Sequence, residues 1–358
     1  MEPAAGAGGV ACGSMDELAT APSRRARDLG LVTGRFAPGP YGAITDVPGV
    51  RVGHVTLREP PLVHSGVTAI VPGEVHPGAP LPAAVFAGNG YGKLIGSTQL
   101  AELGALETPV LLTSTLSAFR AADALVGWML ERPACAEVTS LNPVVGECND
   151  GALSDIRARP VREGHVRAAL DGAAGGAVAQ GCVGAGTGVA ALGFKAGVGT
   201  ASRLVEAGGQ GACVGVLVQA NFGGTLRVLG RTVSPADVGV PGPRDTPQTG
   251  SCMVVAATDA PLDARQLARV ARRAVFALAR TGAAYGHGSG DYAIAFGVRP
   301  GGPPPPDAGL DPLFEGVMDA VEEAVLDSLL AATTTTGPRG RTRYALPADR
   351  LLRLLGRG

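Results

Sequence analysis

A chain of 358 residues, 46% of them hydrophobic, can bury a large core, and its length is compatible with one large domain or two ordinary ones. With 30 basic and 31 acidic residues the formal net charge is -1, so no overall field draws the chain to nucleic acid or to an anionic membrane, and a small neutral or zwitterionic partner fits better. The apolar stretches are interrupted by glycine or polar residues before they reach the roughly 20 residues of a spanning helix, and no transmembrane segment is expected.

Residues 1–27 are Ala/Gly-rich and end in the basic cluster Arg24, Arg25 and Arg27, with no basic start followed by an unbroken apolar run. They read as a disordered N-terminal tail, with residues 28–358 as one domain. From Thr45 to His54 the chain reads TDVPGVRVGH, and from His64 to Val71 it turns apolar, which marks the start of a sheet. A proline-rich turn spans Pro72 to Pro82. Val85 to Gly92 (VFAGNGYG) leads into a glycine turn, Ser97 to Leu103 suits a brief helix stopped by Gly104, and Pro109 to Thr113 suits a buried strand.

Between Ser117 and Arg132, Phe119, Ala122, Leu125, Val126, Met129 and Leu130 recur at spacings of three and four, the period of an amphipathic helix. Cys213 to Gln219, Cys252 to Thr258 and Tyr292 to Val298 are short continuous apolar runs, as expected of strands covered on both faces. Pro261 to Arg280 carries an apolar stripe of Leu267, Val270, Ala274 and Leu278 and ends at Gly282, and Leu313 to Leu330 carries a second stripe of Val317, Val321, Val325 and Leu329. Doubly covered strands with amphipathic helices outside them imply layered sheets. The six cysteines are scattered without a CxxC pair, which favours free thiols, a reducing compartment and a cytoplasmic protein.

The segment TPQTGSCMVVAATD, Thr246 to Asp259, is chemically the most informative. Gly250 allows a strained backbone immediately before Ser251, and Ser251 opens a buried strand that would hold it still. A serine so placed can attack the carbonyl that precedes it, and hydrolysis of the resulting ester frees an α-amine beside the hydroxyl. With a pKa of about 8, that amine can serve as base for its own nucleophile. Gly-Ser is also a common turn dipeptide, so the residues alone leave both readings open.

Six motifs in order narrow the choice. GNGYGKLIGSTQLAELGALETPVLLTSTLS (Gly88 to Ser117), NPVVGECNDGALSDI (Asn142 to Ile156), GAGTGVAALGFKAGVGTASR (Gly184 to Arg203), QANFGG (Gln219 to Gly224), GSCMVVAATDAPLDARQLARVARRAVFALARTG (Gly250 to Gly282) and GHGSGDYAIAFG (Gly286 to Gly297) resemble the DmpA/BapA-type self-processing serine aminopeptidases. The resemblance runs from about Thr45 to Pro347. It implies an α+β fold, a four-layer αββα sandwich like that of N-terminal-nucleophile hydrolases but with different strand connectivity. It also implies cleavage between Gly250 and Ser251 into an α-chain (1–250) and a β-chain (251–358), with Ser251 as nucleophile, no cofactor, and a homo-oligomer of four or more subunits.

The remaining assignments follow residue by residue from the same resemblance. Asn221 matches an amide that helps hold the oxyanion. Ser289 and Asp291 match a serine and acidic pair that supports the new amine and hydroxyl, and some members carry Glu where this chain has Asp291. Glu147 matches the carboxylate that receives the substrate's free amine, with Asn149 and Asp150 as candidates to line the same pocket. The implied substrates are small peptides, amides or esters, without nucleic acid or membrane.

Two other readings share this fold. An ornithine acetyltransferase-like acyl transferase would use threonine as nucleophile, and an unprocessed scaffold or binding protein would have lost the chemistry. Gly184, Gly186 and Gly188 hint at a phosphate loop, but their GxGxG spacing lacks the Walker lysine, and the five histidines show no HxH or HExxH spacing, so neither nucleotide nor metal is expected.

Overall fold

The computed structural model describes residues 25–243, 250–299, 301 and 303–357. In chain order the elements are β1 (Val50–Glu59), β2 (Val63–Pro72), β3 (Leu81–Gly90), α1 (Ser97–Leu103), β4 (Ala105–Leu106), β5 (Val110–Ser114), α2 (Ala118–Leu130), β6 (Val144–Cys148) and α3 (Glu163–Asp171). A short hairpin of β7 (Ala190–Ala191) and β8 (Phe194–Lys195) precedes β9 (Val198–Ala207) and β10 (Gln210–Asn221). After the hairpin of β11 (Leu226–Val228) and β12 (Arg231–Val233) come β13 (Ser251–Thr258), α4 (Ala264–Leu278), β14 (Gly290–Gly297) and α5 (Asp311–Leu330). The hairpin of β15 (Thr335–Thr336) and β16 (Thr342–Arg343) and the helix α6 (Ala348–Leu354) complete the chain.

Two sheets dominate, one ordered β1-β2-β5-β6 and the other β4-β3-β14-β13-β10-β9. Strand alternation sorts their side chains into three cores. In the first sheet Val67, Ala69, Val71, Leu111 and Val145 face outward onto α2 and α3, whereas Ile70, Val110, Leu112, Val144 and Cys148 face the second sheet. In the second, Met253, Val255 and Ala257 of β13 meet the first sheet, and Cys252, Val254 and Ala256 meet α4 and α5. The layers are therefore helix, sheet, sheet, helix, as the resemblance implies.

The helices lie close to their expected limits. Asp263 caps α4 by accepting the N–H of Gln266, and Gly282, at φ 99°, closes the short 3-10 turn that follows. The strand expected at Thr45 begins only at Val50, because Ile44–Asp46 forms a 3-10 turn and Gly49 stands at φ 80°. One expectation about the N-terminus is corrected for its last residues. Arg25 donates to Asp327, to the carbonyls of Tyr41 and Gly42 and to that of Thr200, Arg27 pairs with Glu323, and Ala26 is fully buried, so residues 25–27 are packed on α5 and do not belong to a tail. The rest of that expected tail lies outside the described residues.

Candidate active site

The motif residues come from distant parts of the sequence and meet where strands end. Ser251 is the first residue of β13 and Asn221 the last of β10, and antiparallel pairing sets the two directly opposite each other. On the other side β13 runs parallel to β14, which places Gly290 opposite Ser251 and Asp291 opposite Cys252. Every residue of β13 is buried. Its backbone is held on both flanks, so Ser251, 5% exposed, has a fixed position.

The peptide between Gly250 and Ser251 is tightly surrounded. The Gly250 carbonyl accepts the N–H of Gly290 at 3.1 Å. A side chain on Gly250 would bring Cβ to 2.2 Å from the Asn221 carbonyl oxygen and 2.5 Å from Phe222 Cα, so only glycine fits against that backbone. The Ser251 carbonyl accepts the thiol of Cys148 at 3.1 Å, which ties the end of β6 in the first sheet to the start of β13 in the second.

Asn221 is oriented through both ends of its carboxamide. Oδ1 accepts the N–H of Ala190 at 3.1 Å and Nδ2 donates to the carbonyl of Asn149 at 3.1 Å. An amide nitrogen has a second hydrogen to offer, so an oriented Asn221 can still donate to an oxygen developing charge near Ser251.

Ser289 donates to Asp291 Oδ1 at 2.8 Å, and both residues are buried. Asp291 Oδ2 is buried without a hydrogen-bond partner among the described residues. Burial raises the Asp291 carboxyl above its ordinary range, against the stabilising hydrogen bond from Ser289. The same burial, with Asp291 nearby, pushes the Cys252 thiol well above its usual value. Cys252 is therefore a buried thiol with little thiolate and a poor rival to Ser251 as nucleophile.

Glu147 sits on β6, 1% exposed. One oxygen accepts the N–H of Lys93 at 2.8 Å and the other accepts the hydroxyl of Thr115. Lys93 follows Gly92, whose Cα lies 2.5 Å from where a Cβ on Gly290 would stand, and a Cβ on Gly92 would lie 3.5 Å from Glu147 Oε1. Two glycines thus separate the carboxylate from the segment that pairs with Ser251. Asn149 and Asp150, the two weaker candidates, are engaged elsewhere. The exposed Asn149 side chain accepts the N–H of Gly151 in its own turn, and only its carbonyl reaches the site, through Asn221. The buried Asp150 accepts the hydroxyl of Ser65 at 2.6 Å, and burial raises its pKa to about 7.

Sequence reasoning missed two contacts. The Gly290 N–H is a backbone group that no side-chain pattern announces. Thr115 lies inside the Gly88 to Ser117 motif, and a side chain's partner across the fold cannot be read from its spacing. No group of three or more His, Cys, Asp or Glu among the described residues is arranged to hold a metal ion, and no described helix is long and apolar enough to cross a membrane.

Residues 42–343 match the model of peptidase family S58. The chain belongs to peptidase family S58. It is a hydrolase of the N-terminal-nucleophile aminopeptidase/amidase type. Among curated relatives it is similar to the beta-peptidyl aminopeptidase BapA of Sphingosinicella microcystinivorans, 39% identical over 94% of this chain and 93% of that protein. Among solved structures it is similar to a beta-aminopeptidase of a Burkholderia species, with a TM-score of 0.86 and 40% identity over 93% of this chain and 98% of that one. It is also similar to the L-aminopeptidase D-Ala-esterase/amidase of Ochrobactrum anthropi, described as a variant of the Ntn hydrolase fold, with a TM-score of 0.82 and 38% identity over 93% of this chain and 99% of that one. The S58 match covers both sheets and each strand end described above.

Proposed function

We propose that this S58 peptidase cuts its own Gly250-Ser251 bond and then removes N-terminal residues from small peptides, amides or esters through an ester on Ser251. The observation that carries the proposal is the fixed placement of one peptide bond. Its carbonyl is bonded to Gly290, Ser251 opens a strand held on both sides, and the Asn221 carboxamide is oriented from the strand opposite.

In the first step Ser251 Oγ attacks the Gly250 carbonyl carbon, the C–N bond breaks as the C–O ester forms, and the proton from the hydroxyl passes to the departing nitrogen. Water then cleaves the ester, leaving a carboxylate on Gly250 and a free α-amine on Ser251. That amine is the base that takes the Ser251 proton in each later turnover. The Gly290 N–H and the second Asn221 hydrogen stabilise the oxyanion in both reactions. Ser289 and Asp291 support the new amine and hydroxyl, with the unpartnered Asp291 oxygen as an acceptor for the amine.

Glu147 supplies the negative charge that a buried substrate ammonium needs. The names of the relatives support substrates with a free amino terminus, including β-amino acyl groups. A cytoplasmic homo-oligomer of four or more subunits completes this reading, and light scattering of the purified protein measures the subunit number.

The test combines a denaturing gel with a panel of aminoacyl and β-aminoacyl p-nitroanilides and their N-acetylated forms. Ser251→Ala is expected to stay one uncleaved chain without activity. Two fragments from Ser251→Ala, with the break still at residue 250, would overturn the nucleophile assignment. Glu147→Gln is expected to process itself and to lose its preference for free amines over N-acetylated substrates. Failed processing in Glu147→Gln, or equal losses on both substrate classes, would make Glu147 a structural residue.

A further inference from the structure

Ser289 stands in a turn, residues 286–289, whose shape is set from outside. The turn is closed internally by one bond, from Ser289 N–H to the Gly286 carbonyl at 2.8 Å. Its outward carbonyls converge on a single side chain. Asn89, near the end of β3 and in register with Asp291, places its Nδ2 at 2.8 Å from the Gly286 carbonyl oxygen, 2.6 Å from that of Ser289 and 3.3 Å from that of His287. A carboxamide nitrogen has two hydrogens, so Gly286 and Ser289 take one each and His287 is the longer, shared contact. The Tyr91 N–H adds a second donor to the Ser289 carbonyl at 3.3 Å.

Without the Asn89 carboxamide the Ser289 carbonyl would keep only the longer Tyr91 contact and the Gly286 carbonyl only the bond inside the turn, and the turn would lose the restraint that aims the Ser289 hydroxyl at Asp291. No hydrogen bond within the turn replaces it among the described residues, because the Ser289 N–H to Gly286 bond fixes only one of its peptides. The side-chain hydrogen bonds of Asn89 among the described residues all go to carbonyls of the 286–289 turn, so it acts on the chemistry through what it holds.

We infer that Asn89 is a positioning residue of the active site, whose carboxamide fixes the 286–289 turn so that Ser289 remains bonded to Asp291. The inference rests on the reading of Ser289 and Asp291 given under Proposed function. A residue that merely caps a strand would alter stability and leave catalytic constants alone. A positioning residue alters kcat and is silent once the group it positions is gone.

The experiment is a double-variant cycle on the full chain, reading both turnover of an aminoacyl p-nitroanilide and the rate of self-cleavage. Asn89→Ala is expected to lower kcat and slow cleavage roughly tenfold or more, with KM changed less than about twofold. Adding Asn89→Ala to Ser289→Ala is expected to cost less than about twofold more. Full kcat in Asn89→Ala, or losses that multiply in the double variant, would overturn the assignment.

Asn89→Asp keeps the size and shape of the side chain and gives a second readout. An ionised carboxylate has no hydrogen to give to the facing carbonyls, whereas the protonated acid has one, so the activity of this variant relative to the unsubstituted protein is expected to rise as pH falls. A ratio that does not change with pH sinks the proposal, and this ratio decides the matter if Ser289→Ala fails to cleave itself at all. Ser289→Ala with full activity would remove the underlying reading and this one with it. An impaired Ser289→Ala beside a normal Asn89→Ala would remove the Asn89 assignment alone.

Discussion

At the scale of single residues, the site depends on groups whose positions are fixed by backbone rather than by their own reach. Gly250 is the sharpest case, because a methyl group there meets the Asn221 carbonyl oxygen at 2.2 Å. Gly250→Ala should therefore fold but push the scissile carbonyl off the Gly290 N–H, and the expected result is a chain that cleaves itself at least about tenfold more slowly, read as band intensity on a timed denaturing gel. Cleavage at the normal rate would mean that the strand ends give way and that the tight fit has no catalytic consequence. Asn221→Ala should lower kcat of the cleaved enzyme by roughly 10²-fold or more, since one oxyanion donor is worth about 3 kcal/mol, while KM moves much less. A raised KM with unchanged kcat would place Asn221 in substrate binding instead. The proposed nucleophile and its proposed partners were legible in the sequence as a set only through their resemblance to a family. Taken alone, Gly-Ser and Asn-Phe-Gly are turn-like fragments, and nothing in their spacing brings positions 221, 251 and 291 together.

At the scale of elements, the sequence was most readable where a segment has one strong period. The stripes of α2, α4 and α5 and the apolar runs of β13 and β14 gave type and approximate limits, because each buries a whole face or both faces. The edge strand β9 and the short helix α3 were not recognised. β9 interleaves Gly199, Ser202, Arg203 and Glu206 with its apolar residues, and its burial depends on an ion pair between Arg203 and Glu323 at 2.7 Å that no local pattern foretells. The packing of residues 25–27 was missed for the same reason, since their partners are acidic residues on α5 some 300 positions away. This anchoring gives a pH-dependent prediction. Burial raises the Asp327 carboxyl to about 6, while the charge of Arg25 pulls it down. With Arg25→Ala the ionised Asp327 loses that partner, so the loss should grow as pH rises through about 6 and approach about 3 kcal/mol where the carboxylate would be charged. Thermal melts of Arg25→Ala and the unsubstituted protein at pH 5 and pH 8 measure it. A loss equal at the two pH values would show that Arg25 contributes through its carbonyl contacts instead.

At the scale of the whole molecule, the proposed cut falls at the start of a central strand and not between two lobes. The second sheet takes β13 and β14 from the segment after residue 250, and β3 with β4 and β9 with β10 from the segment before it. Each fragment alone would expose two strand edges; the first would also expose the faces of β3, β9 and β10 that meet α4 and α5, and the second the faces of those helices. The cleaved protein is thus expected to elute from a sizing column as one species containing both fragments, and to separate only in denaturant. Fragments that separate in native buffer would contradict this arrangement of the sheet.

The interleaving also changes the reaction order of folding. The intact chain closes its second sheet by a unimolecular search, with β13 tethered to its neighbours. Once the chain is cut, the same pairing requires an encounter between two separate polypeptides, so the rate of recovery from denaturant becomes proportional to protein concentration. Dilution that leaves the refolding of the uncleaved Ser251→Ala chain unchanged should then slow that of the cleaved enzyme, and a heated sample should regain less activity in a given time the more dilute it is. Maturation would in this way convert a protein that can repair its own unfolding into one whose lifetime is set by how slowly it first opens.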